Sequence, residues 1–194
     1  MLVVVQSTDK NFLVPVGGAV VFSSDCNFLN NLSQCYPGRA SMSPVLDVFI
    51  TLLSLGEIGF QNLLRERERL IPLFRAGLKI IADKYELQVL SSTGNTISTS
   101  VFLDALHIPN DETRKMTFLG SMLFLRNVSG CRVVVCNDEV TSISGFRFKN
   151  WGSHTDNFSH DYFTAACAVG QTEAEVLIFL ERLNKVMGKF VGKK

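Results

Sequence analysis

Three basic residues in this chain of 194 residues sit in polar settings where their chemistry can be used. Lys10 lies in Gln6-Ser7-Thr8-Asp9-Lys10-Asn11, between the apolar runs Leu2 to Val5 and Phe12 to Phe22. A lysine in such a turn is ordinarily solvated. Held at the end of buried strands it would be desolvated, which disfavours the charged form and frees the amine to condense with an aldehyde. Gly17 and Gly18, just downstream, would let other groups approach the second strand closely. Arg39 follows Pro37-Gly38. It reads either as a surface arginine packed on Tyr36 or as an anion clamp, since a planar guanidinium grips phosphate with two parallel bonds. Ser41 and Ser43 stand nearby as hydroxyl donors. Arg126 ends Gly120-Ser121-Met122-Leu123-Phe124-Leu125-Arg126. It reads either as a cation at a helix C-terminus or as a side chain that reads a base edge bidentately.

The remaining chemistry-bearing residues are less pointed. His107, His154 and His160 lack metal-ligand spacing, and no cysteine pair completes a zinc set. Ser153-His154-Thr155-Asp156-Asn157 is a polar cluster read as a solvent loop in preference to an active-site lid. The five cysteines, Cys26, Cys35, Cys131, Cys136 and Cys167, are odd in number and form no CxxC, which points to reduced thiols in a cytosolic protein. The Asn-x-Ser sequons at Asn31, Asn127 and Asn157 read as chance matches. No Gly-rich phosphate loop, GxSxG or HExxH occurs.

The elements that must position these residues follow from pattern. Leu2–Val5 and Phe12–Phe22 predict strands around the Lys10 turn, and continuous valine predicts a strand buried on both faces. Asn27–Gln34 predicts a short helix capped by Ser24 or Asp25. Ser43-Pro44 opens a buried helix through Val45, Leu46, Phe49, Leu52 and Leu53 to Gly56. A second helix covers about Ile58–Tyr85, with Arg65–Arg69 as a solvated charged face and a kink at Pro72. Leu87–Leu90, Thr96–Leu103, Arg132–Cys136 and Ile143–Phe148 read as strands, and Glu112–Leu125 as helix. Val176, Phe179, Leu180, Leu183, Val186, Met187 and Phe190 keep the 3.6-residue period of a final helix over Thr172–Phe190. With 46% hydrophobic and 19% charged residues a core is expected and disorder is not. The net charge of +1 neither favours nor disfavours nucleic acid. The N-terminal apolar run is too short for a signal peptide, and no run approaches the roughly 20 apolar residues of a span, so no membrane partner is expected.

The string Gln6 to Ala19 resembles the cofactor-lysine segment of the O-phosphoseryl-tRNA(Sec) selenium transferase family. The resemblance continues through Tyr36-Pro37-Gly38-Arg39-Ala40-Ser41, Leu46-Asp47-Val48 and Ile50 to Gly56. It returns at Leu119 to Phe124, Val128-Ser129-Gly130, Arg132-Val133-Val134 and Ser153-His154-Thr155, with the weakest stretch around Leu73 to Thr117.

The resemblance implies an α/β chain, the C-terminal part of a type I fold pyridoxal-phosphate transferase. Residues 1–56 would end the cofactor-binding large domain and 57–194 would form an α+β small domain. Lys10 would hold pyridoxal 5'-phosphate covalently, Arg39 would bind the substrate phosphate, and Arg126 and Lys193 would contact tRNA. The implied reaction converts O-phosphoseryl-tRNA(Sec) to selenocysteinyl-tRNA(Sec) with selenophosphate, in a cytoplasmic homotetramer. Complete enzymes of this class need roughly 400 residues or more, beyond one typical domain. The expected missing half would carry the cup for the cofactor phosphate. The alternatives are a truncated, non-catalytic tRNA-binding or oligomerisation module and, against the Arg126 string, a desulfurase or decarboxylase.

Overall fold

The computed structural model describes residues 2–35, 41–90, 92, 94–106, 113–136, 139–153 and 155–191. It is a mixture of helix and sheet in which every described strand pair is antiparallel. Contacts divide it into two compact units, Met1–Arg67 with Ala168–Gly170, and Glu68–Cys167 with Gln171–Lys194.

In the first unit β1 (Val3–Ser7) pairs with β2 (Ala19–Ser23), in register from Val3↔Ser23 to Ser7↔Ala19. Between them lies α1 (Thr8–Asn11), a single helical turn closed by the Phe12 N–H on the Thr8 carbonyl at 2.9 Å. The second strand is confined to Ala19–Ser23 where Phe12–Phe22 was expected, but the order of strand, turn and strand expected from sequence is present. The expected burial is not: Val4 and Val5 are exposed, and no residue of either strand is buried. Among the described residues the sheet has these two strands, both left partly or fully exposed.

The helix α2 (Cys26–Cys35) follows, its first turn capped by Asp25, whose Oδ1 accepts from the Phe28 N–H at 3.1 Å. Next comes α3 (Ser43–Lys84). Its first helical bond runs from the Leu46 N–H to the Met42 carbonyl, so the helix begins one residue before the Ser43 cap expected from sequence. Gly56 (φ 62, ψ 177) breaks the helical geometry, in a region of the backbone map essentially reserved for glycine. Pro72, where a kink was expected, keeps helical dihedrals. The expected burial of the first stretch of α3 is also absent, because Val45, Leu46, Phe49, Ile50 and Leu53 are exposed in this chain. One helix among the described residues, α3, is long and apolar enough to cross a membrane by length and composition, with mean hydropathy 1.5 over 18 residues. That corrects the reading that no stretch qualifies. Isolated polar residues such as Asp47, Thr51 and Ser54 interrupt the apolar runs without lowering the mean enough.

The second unit holds a three-stranded sheet in the order β3 (Ser98–Phe102), β7 (Tyr162–Ala166), β4 (Arg132–Val134). The later half of α3, α4 (Thr113–Phe124) and α5 (Glu173–Phe190) supply most of the rest of the core, with Leu78, Leu119, Leu123, Phe163, Leu183 and Met187 almost fully buried. Phe74 stacks on Phe179 with centroids 5.6 Å apart. A Cβ on Gly77 would lie 2.2 Å from Leu180 Cδ1, so glycine there lets α3 and α5 touch closely. Thr172 and Glu175 form a reciprocal capping box at the start of α5. A separate hairpin, β5 (Val140–Ile143) with β6 (Phe146–Lys149), turns at Ser144 and Gly145, both at positive φ. Sequence pattern merged these two strands and omitted β7.

Candidate active site

Lys10 stands on the one-turn helix at the end of β1. Thr8 anchors that turn. It is buried, and both its N–H and its Oγ1 donate to the Gly18 carbonyl at 3.0 Å. Gly18 permits this approach, since a Cβ there would meet Pro44 Cβ at 2.7 Å and Thr8 Oγ1 at 2.9 Å. Gly17 serves differently. It has open space around it but a φ of 144°, so it supplies conformation and not clearance.

The Lys10 Nζ donates to Asp9 Oδ2 at 2.7 Å, and the Ser7 hydroxyl donates to the other Asp9 oxygen. The ammonium of Lys10 first, then the Ser7 hydroxyl, hold the Asp9 carboxyl below its ordinary range. The lysine side chain is 75% exposed while Asp9 is 11% exposed. The desolvation anticipated for this amine is therefore not provided within the chain, because the strands flanking it are themselves uncovered.

Arg126 occupies the C-cap of α4. The Val128 N–H bonds the Leu123 carbonyl at 3.1 Å and the Asn127 N–H bonds the Phe124 carbonyl at 2.9 Å, with Asn127 at φ 55. This is the paired C-terminal closure in which a left-handed residue satisfies the last carbonyls. The half-buried Arg126 also donates from Nη1 to the Met122 carbonyl at 2.8 Å. The helix-end reading of Arg126 is thus realised, and its other guanidinium N–H groups have no partner among the described residues. Arg39 and Lys193, and the His154 of the polar cluster, lie outside the described residues.

Among the five cysteines none is bonded to another. Burial pushes the Cys131 thiol up to about 11, which keeps it protonated and unreactive. A groove of about 420 Å³ that sequence reasoning passed over runs along Arg132, Phe148, Trp151 and Asp156. The signal for it was present in the alternation Phe146-Arg147-Phe148-Lys149 followed by the single tryptophan.

One unit carries a lysine on a short turn between two antiparallel strands, and the other is a mixture of helix and antiparallel sheet. Comparison with known proteins narrows this. The family model described as O-phosphoseryl-tRNA(Sec) selenium transferase, SepSecS, matches residues 1–188, and the chain belongs to that family. The Dictyostelium discoideum O-phosphoseryl-tRNA(Sec) selenium transferase is 41% identical over 95% of this chain and 41% of its own length. The Caenorhabditis elegans protein of the same name is 37% identical over 97% of this chain and 38% of its own. A crystal structure of an archaeal O-phosphoseryl-tRNA(Sec) selenium transferase superposes with TM-score 0.72 at 25% identity, over 94% of this chain and 38% of that one. The chain therefore spans about two fifths of the length of these relatives.

Proposed function

We propose that this chain is the C-terminal portion of a type I fold pyridoxal-phosphate enzyme that converts O-phosphoseryl-tRNA(Sec) to selenocysteinyl-tRNA(Sec) with selenophosphate. The observation that carries the reading is Lys10 on a one-turn helix that Thr8 anchors to Gly18 at one end of a hydrogen-bonded strand pair, in a chain matched by this family along residues 1–188. An accessible amine on a rigid turn fits a lysine that binds an aldehyde cofactor. When bound, pyridoxal phosphate supplies an electron sink for charge developing at the substrate Cα.

The chain's own residues do the rest. Lys10 Nζ would hold the cofactor and, once displaced from it by the amino group of the phosphoseryl ester, would be free to take the Cα proton. Arg39 grips the phosphate and steadies it as its bond to Cβ breaks, the bond electrons leaving with the phosphate. The selenium of selenophosphate then bonds to Cβ, a proton returns to Cα, and water takes the phosphoryl group as the Se–P bond breaks, so that inorganic phosphate leaves. Arg126 and Lys193 hold the tRNA, and positioning of the Cα–H bond and the leaving group does most of the catalytic work. The complete protein acts as a homotetramer in the cytoplasm. Its remaining chain covers the exposed faces of β1 and β2 and desolvates Lys10.

The test is a chimera in which these 194 residues replace the matching segment of the Dictyostelium relative. Treatment with pyridoxal phosphate and then borohydride should tag the peptide containing Lys10. Lys10→Ala should remove both that tag and selenocysteinyl-tRNA formation. A tag on another lysine with unchanged product formation in Lys10→Ala would overturn the assignment.

A further inference from the structure

The groove beside the β5–β6 hairpin is built and not merely open. Asn150 is buried at positive φ, and its Nδ2 donates to the Phe158 carbonyl at 2.9 Å and to the Thr155 carbonyl at 3.3 Å. The Ser153 N–H returns to the Asn150 carbonyl at 3.0 Å. These bonds fix the segment after β6 before any ligand arrives. Arg132, at the start of β4, donates from Nη2 to the Gly152 carbonyl at 2.5 Å, which ties its guanidinium to another residue of the groove lining. Its other N–H groups have no partner among the described residues.

The opposite character comes from aromatic rings. Trp151 is half exposed and meets the Phe148 ring edge-on at 5.1 Å, so Phe148 props the indole and leaves indole surface open. Lys149 and Asp156 complete the charged lining. Ser153 lines the same groove, but its hydroxyl is buried and has no hydrogen-bond partner among the described residues. An aromatic face, a guanidinium and a carboxylate along one groove match the three parts of a nucleotide: a flat base, a phosphate and a polar base edge. A volume of about 420 Å³ lies in the range of small-molecule sites.

We propose that this groove takes one unstacked nucleotide of single-stranded RNA, its base against the Trp151 indole and its phosphate on Arg132. Asp156 accepts from an exocyclic amine of that base, which favours adenine, cytosine or guanine over uracil. This inference rests on the RNA-acting reading above but concerns residues other than Lys10, Arg39, Arg126 and Lys193.

Trp151 is the chain's only tryptophan, so it reports its own occupancy. Titrating the 194-residue chain with a single-stranded tetraribonucleotide should quench its emission saturably. The affinity should fall as salt rises, and Arg132→Ala should weaken it about tenfold. A blunt duplex of the same bases should leave the emission unchanged. Because Arg132→Ala also removes the bond to Gly152, a second variant is needed. Trp151→Leu, followed by anisotropy of a dye-labelled tetranucleotide, should also lose affinity. Unquenched emission, equal affinity in both variants, or equal displacement of RNA by inorganic phosphate would each overturn the proposal. A chimera that forms product while the groove stays silent refutes the groove alone. A groove that binds RNA in a chimera that forms no product refutes the catalytic reading alone.

Discussion

Gly18 governs Lys10 without touching it. Thr8 can donate twice to its carbonyl only because no side chain stands between that backbone, Thr8 Oγ1 and Pro44. Gly18→Ala should push the turn away and cost about 1–3 kcal/mol, the usual range for forced overpacking. The denaturant midpoint reads that cost. The borohydride tag at Lys10 in the chimera should fall more than tagging at surface lysines such as Lys79 and Lys185. Equal loss at all lysines would show a folding defect only. At this scale the sequence was informative about which residue to watch, since a lysine between apolar runs and before two glycines is visible in one line. It was uninformative about solvent, because a run of valines demands cover but does not say which chain provides it.

Elements with a strong period were legible. The final helix was placed within a residue at its start because seven apolar positions hold one face, and the structure adds a Thr172–Glu175 capping box there. The strand β7 was not, although it is the centre of the sheet: Tyr162-Phe163-Thr164-Ala165-Ala166 is apolar on both faces and has no alternation to detect. The β5–β6 turn was missed because Ser144-Gly145 is a weak turn signal until both φ angles are seen to be positive.

The entry to β7 carries a charge with a measurable signature. Burial pushes the Asp161 carboxyl above its ordinary range, the Cys136 N–H at 2.7 Å opposes this, and Asp104 adds to the rise. A folded chain that holds this proton more tightly than the unfolded chain is favoured at low pH, and the advantage fades as pH climbs through the raised value. Asp161→Asn keeps an acceptor for the Cys136 N–H and removes the charge. It should equal or exceed the parent in urea midpoint at pH 7, and the gap should close as the solution is acidified. A variant less stable at pH 7 would show that the carboxylate charge is needed there.

At the scale of the molecule, the dominant feature is apolar surface left uncovered along the first part of α3, where Val45, Leu46, Phe49, Ile50 and Leu53 face water. Patches of this kind mark interfaces or aggregation sites. The 194-residue chain by itself should sediment as a concentration-dependent associated species. Phe49→Glu with Leu53→Glu should shift it toward monomer while leaving the denaturant midpoint nearly unchanged, since exposed positions contribute little to the fold. Continued association in the double variant would move the contact elsewhere. The helix itself was legible in the sequence, but its setting was not, because hydrophobicity records that a face must be covered and not by what.

The β1–β2 ribbon draws the same requirement at the backbone. Each strand spends its amides on one neighbour, so the outer margins of Val3–Ser7 and Ala19–Ser23 carry rows of donors and acceptors with no third strand. Such a margin recruits whatever extended chain it meets, and valine-rich strands recruit well. A partner that adds a strand there would extend the ribbon and, in the same act, fence the Lys10 turn from the side. Sheet growth and preparation of the reactive amine would then be one event.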